Sequence, residues 1–236
     1  MLNIAKSIKD RNHLFYILGA IAIVVIVLAG FAKTYYLKFA FGTPALTPLV
    51  NLHGIVMTLW VLLFLVQTWL VASHRTHIHR RLGIFGAILA ATVLVVGTTT
   101  GIVAAKLGHS PGPPPLVFLV VPLGDMVIFG TLVSIGLYFR RKSDIHKRLM
   151  LLASLSLLTA AIARIPLEFI HSGGIPVYFG LTDLCILICV VYDTVRLRRM
   201  HPAFTLGVIF IIASQPLRLM LAGTQVWMQF ANWLVR

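Results

Sequence analysis

The chain has 236 residues, 59% of them hydrophobic and only 11% charged, which is too apolar for a soluble domain of this size and points to a membrane protein. Its formal net charge of +14 would suggest nucleic acid in a soluble protein. Here the basic residues cluster between apolar runs, so the lipid bilayer replaces nucleic acid as the expected partner.

A spanning helix needs about 20 mostly apolar residues. Seven stretches qualify: 14–32, 48–73, 82–105, 115–139, 149–171, 176–195 and 203–222. The expected fold is an all-α bundle of seven transmembrane helices forming one domain over 1–236. The first stretch ends in "GFA", which also reads as a small-residue cleavage site, but its apolar core is longer than that of a signal peptide. Between the fourth-helix start and the third-helix end, "GHSPGPPP" (108–115) cannot continue a helix and reads as a rigid connector. "HSGGIP" (171–176) reads as a short external turn. The tail 223–236, with Trp227 and Trp233, either extends the last helix or lies at the membrane interface.

Lysine and arginine orient the bundle. Lys6, Lys9 and Arg11 precede the first helix. Arg75, Arg80 and Arg81 lie between the second and third. Arg140, Arg141, Lys142, Lys147 and Arg148 lie between the fourth and fifth, and Arg196, Arg198 and Arg199 between the sixth and seventh. The alternate connections hold only Lys33, Lys38 and Lys106. The positive-inside rule then puts the N-terminus in the cytoplasm and the C-terminus outside, in a multi-pass protein of a bacterial-type inner (plasma) membrane.

The basic turns share a phrase. "HIHRRLG" (77–83) and "DIHKRLM" (144–150) both open a helix, and "LRRMHPAFTLG" (197–207) is a looser third version. They divide the chain into three repeated helix–basic turn–helix hairpins, as internal repeats often do in membrane proteins. Topology explains the basic residues. It does not explain the histidines.

Polar residues inside the spans carry the functional expectations. Asp125, Arg164, Glu168, Asp183, Gln215 and Arg218 fall in the central-to-external half and suggest an outward polar pocket. Arg164, Glu168 and His171 are spaced to share one helix face. Pro122, Pro166 and Pro216 stand beside these charges and would kink their helices. Buried ion pairs that hold the bundle together are the plainer alternative. Asp193 lies near the cytoplasmic end, one turn before Arg196. His53, Trp60, Gln67 and His74 repeat every seven residues and form one stripe down the second helix. Gly97 and Gly101 form a close-packing face on the third. Cys185 and Cys189 share a face and read as small packing residues, not a disulfide.

A b-type haem in a helical bundle needs two histidines at one depth on facing helices. His53 with His171 would form an external pair, and His79 with His146 a cytoplasmic pair. This makes a redox protein, or a factor handling haem or quinone, the first functional reading. A carrier or binder of a small polar or lipidic ligand is the second. A structural subunit of a membrane complex, paired with another membrane protein or with itself, is the third. No HExxH spacing supports a metal-dependent hydrolase, and the seventh span has no lysine for a retinal Schiff base.

"LNLHGIVMTLW…HRRLGIFG" followed by "DIHKRLMLLASLSLLTAAIARI" resembles a widespread bacterial family of multi-spanning membrane proteins of unknown function. Its pattern is a helical histidine, then HRxLG, then HRxxM and a helical arginine. His53, His79, Arg80, Leu82, Gly83, His146, Met150 and Arg164 match it, while Lys147 and Leu149 depart from it. The likeness covers about residues 48–170. It implies a shared role for those positions without naming one. A fainter likeness to dihaem b-type membrane cytochromes rests on the histidine-bearing helices alone.

Overall fold

The computed structural model describes residues 2–236, with side chains described from residue 13 onward. Ten α-helices and one π-helix follow in order. They are α1 (Leu2–Phe31), the π-helix (Ala32–Tyr36), α2 (Pro48–Ala72), α3 (Thr76–Lys106), α4 (Pro115–Phe118), α5 (Val120–Tyr138), α6 (Ser143–Ser156), α7 (Thr159–Ile162), α8 (Glu168–Leu197), α9 (Pro202–Ala222) and α10 (Gln225–Leu234). Seven spans are long and apolar enough to cross a membrane, the expected number. The chain is a polytopic, all-α membrane protein.

Local chemistry sets most boundaries. Pro48 and Pro202 start α2 and α9, where the missing amide hydrogen costs nothing. The Thr47 hydroxyl accepts from the Val50 amide and caps α2. Residues 107–114 form the proline-rich connector anticipated from the sequence. The tail folds as α10, which buries Trp227 and Ala231 and leaves Trp233 exposed. Trp227 Nε1 donates to the Leu116 carbonyl at 2.8 Å and seats α10 on α4.

The fifth and sixth spans differ from expectation. The fifth is Ser143–Ile162, not 149–171, and the sixth begins at Glu168. Pro166 removes an amide donor and disfavours helix for the residue before it. Leu167 is extended, at φ −119° and ψ 125°. The external connection is therefore 163–167. "HSGGIP" lies inside α8, where Gly174 breaks the helical geometry at φ 59° and ψ −152°.

The hairpins are also unequal. α2 packs along α3, and α5 along α6. α9 lies against α5 and α6 more than against its own hairpin partner α8. One core runs through α1, α2, α3, α5, α6, α8 and α9, with Ile23, Val93, Phe129, Leu151, Leu152 and Ile186 fully enclosed. Close approach depends on small residues. At Gly97 and Gly101 of α3, an added Cβ would meet Met126 and Pro122 of α5. At Gly30 it would strike the Ala161 backbone, so α1 and α7 touch there.

Candidate functional site

His79 is the fourth residue of α3 and His146 the fourth of α6. Helical register thus puts the two histidines of the repeated phrase at one depth, and the bundle turns them toward each other. Their ring centres are 6.3 Å apart with planes at 76°. His146 Nδ1 lies 2.8 Å from the Gly136 carbonyl, so Nδ1 carries a proton and donates it there. His79 Nδ1 is buried with no hydrogen-bond partner. The His146 imidazole is thus held at a backbone carbonyl, and the His79 imidazole keeps Nδ1 unused. Metal-ligating histidines are commonly held in this way.

The α2 stripe runs beside this pair. The Gln67 side chain reaches Gly83, one turn after His79. Gln67 Oε1, Trp60 Nε1 and His53 Nδ1 are all buried without partners. Trp60 packs edge-on against Phe129, with ring centres 4.8 Å apart. His74 ends the stripe in a left-handed conformation, φ 58°, with its ring 5.9 Å from that of His13.

The expected pairing of His53 with His171 does not form. His53 sits in the second turn of α2 with a buried ring nitrogen, whereas His171 is exposed in the first turn of α8. Pro166 is the cause: it ends the fifth span early and moves His171 onto the next helix. For the same reason Arg164, Glu168 and His171 do not share a helix. Arg164 lies in the external connection, stacked over Phe31 at 4.9 Å, and Glu168 is exposed at the start of α8.

The other four polar-pocket residues come together in two pairs. Arg218 Nη1 donates to Asp125 Oδ1 at 2.6 Å and to the Val121 carbonyl at 3.2 Å. Arg218 also stacks over Phe179 at 4.9 Å. Gln215 Nε2 donates to Asp183 Oδ1 at 2.7 Å. Gly124 makes room, since any Cβ there would strike the Arg218 side chain.

One strong pair was not anticipated. Arg148 binds Asp193 through two bonds, Nε to Oδ2 at 2.9 Å and Nη2 to Oδ1 at 2.7 Å, and both side chains are almost completely buried. Its remaining nitrogen donates to the Asp144 carbonyl at 2.7 Å. The usable signal was Asp193 itself, since an acid inside a span calls for a cation at its own depth. Thr34 was also missed: its hydroxyl is buried without a partner in the π-helix. No group of three or more His, Cys, Asp or Glu side chains suited to a metal ion occurs among the described residues. Cys185 and Cys189 are free thiols, the latter in the core.

Known protein families, curated proteins and solved structures give no match to this chain.

Proposed function

We propose that this chain is a membrane redox or haem-handling protein of the bacterial inner membrane, with His79 and His146 as the ligand pair for haem b near the cytoplasmic surface. The observation carrying this reading is the His79–His146 geometry. Two imidazoles on opposite sides of one metal ion stand with ring centres roughly 6 Å apart, given metal–nitrogen bonds of about 2 Å; the rings here are 6.3 Å apart. A two-ligand set suits a group that brings its own equatorial donors, as haem does. A structural zinc site would ask for four protein ligands.

The residues fit the group in character as well as spacing. The Gly136 carbonyl holds Nδ1 of His146 and so orients its ring. Arg80, exposed and next to His79 in the chain, would offer a cation to a propionate carboxylate. Haem bound here would supply one-electron chemistry; His79 and His146 would hold it, and the Gly136 carbonyl would orient the His146 ring.

An absorbance spectrum of the full chain in detergent, purified from haem-replete cells, tests the reading. Dithionite should produce a sharp α band typical of b-type haem. His79→Leu and His146→Leu should each abolish it, and His171→Leu should leave it unchanged. A colourless wild-type protein overturns the reading.

A further inference from the structure

At the opposite end of the bundle, a second group of residues remains outside that reading. α1 does not end as an ordinary α-helix but passes into the π-helix Ala32–Tyr36. π-helical turns are rare and are frequently found at functional sites. This one is fastened to α2 by two tyrosines. Tyr35 Oη donates to the Asn51 carbonyl at 3.2 Å, and Tyr36 Oη lies 2.8 Å from Thr58 Oγ1. The Tyr35 ring lies flush on Gly54, leaving no room for a Cβ. Gly54 is the neighbour of His53.

Two buried polar atoms lack partners here: His53 Nδ1 and Thr34 Oγ1. In a membrane such groups are costly unless something meets them. Arg164 stands at the same end, held over Phe31 of α1 and within electrostatic reach of His53. Its Nη1 donates to the Ala160 carbonyl at 2.7 Å, and no ion pair joins it to a carboxylate among the described residues. Phe31, Tyr35 and Tyr36 add three aromatic faces. The set is therefore two hydrogen-bonding groups without partners, one cation and three aromatic side chains at the same end of the bundle.

We infer that His53, Thr34 and Arg164, gathered by the π-helix, form a binding site for a quinone, entered from the external half of the membrane. The inference rests on the redox reading above and names its lipid-soluble partner. A quinone has a planar ring that stacks on aromatic faces and neutral carbonyl oxygens that accept hydrogen bonds. A lipid phosphate would also satisfy Arg164. It would bring a full charge toward a seam whose buried groups are neutral, which is the more costly fit.

The test uses the full chain in detergent micelles and a benzoquinone with a decyl tail, its binding followed by equilibrium ultrafiltration. Wild type should bind with micromolar affinity. His53→Leu, Thr34→Val and Arg164→Gln should each weaken binding at least tenfold, and His171→Ala should not. Should one variant fail to give a monodisperse protein, the other two still decide. Unaltered binding by the folded variants overturns the inference, as does the absence of wild-type binding. Displacement of the quinone by short-chain phosphatidylglycerol, with only Arg164→Gln sensitive, also overturns it in favour of a headgroup site. The wild-type protein separates the two proposals: quinone binding without a haem spectrum sinks the haem reading alone, and a haem spectrum without quinone binding sinks this one alone.

Discussion

"HIHRRLG" and "DIHKRLM" place nearly the same residues at the start of two helices, yet their basic residues end in opposite surroundings. Arg81, the second basic residue after His79, is exposed. Arg148, its counterpart after His146, is 1% exposed and clamped to Asp193. The histidines, by contrast, behave alike: each is the fourth residue of its helix, and each turns toward the other. Sequence resemblance between the two turns thus carries over to the histidines and fails for the arginines. What separates the arginines is a partner. α8 brings Asp193 beside α6, and no described acid ion-pairs with Arg81. A basic residue near the membrane surface is a topological anchor until an acid on a packed helix turns it into a staple.

The largest expected effect follows from that difference. Asp193→Ala would leave Arg148 charged and unpaired in the core, a change that costs about 3–5 kcal/mol. Arg81→Ala removes an exposed side chain and should stay within about 0.5 kcal/mol. Thermal unfolding of both variants in one detergent makes the comparison. The double variant Arg148→Met with Asp193→Leu should recover most of the loss, because apolar packing can replace a buried ion pair. Equal melting shifts for Asp193→Ala and Arg81→Ala would erase the distinction between staple and anchor.

A smaller effect of opposite sign sharpens the same comparison one turn further on. Gly83 follows His79 by four residues, where the second phrase has Met150. A Cβ at Gly83 would meet only the Gln67 amide, at an ordinary 3.9 Å. Gly83→Ala should therefore stabilise α3 by about 0.5–1 kcal/mol through helix propensity alone. A fall in melting temperature would mean that the seam between α2 and α3 has no room for the added methyl group.

The sequence made the spans legible because span length and hydropathy are one-dimensional properties. Seven apolar runs separated by alternating basic loops admit few other arrangements. Facing of His79 and His146 was legible too, since both occupy the same register in equivalent turns. Two things were hidden. Pro166 reads equally well as a kink inside one long helix or as the end of a shorter one; hydropathy runs through 149–171 without a gap, and only packing decides. That ambiguity moved Glu168 and His171 to the wrong helix. Partners were also hidden. Asp193 pairs with an arginine 45 positions away and Arg218 with an aspartate 93 away, and nothing local marks either choice.

The smallest effect belongs to the third, looser copy of the phrase. His201 stands just before α9 rather than four residues inside it, and its Nδ1 accepts the Ala203 amide at 3.2 Å. It is an N-cap made by an imidazole, and a protonated Nδ1 cannot accept. Burial, then the charge of nearby Arg148, holds His201 below its usual pKa of 6.5; Lys147 acts in the same sense, and Asp193 and Asp144 oppose them. The fold therefore favours the neutral ring. The contribution is fully present above the unfolded pKa and is lost as pH falls through the lower folded value. The ring is mostly solvated, so the loss on acidification should not exceed the roughly 1 kcal/mol typical of a cap. His201→Asn keeps a capping acceptor that does not titrate. Melting temperatures of wild type and His201→Asn, followed from pH 7.5 to 5, should converge at the upper end and separate at the lower, with the asparagine variant higher. Parallel curves would mean that the third histidine caps nothing, and that the basic turn before α9 retains only the topological part of the phrase.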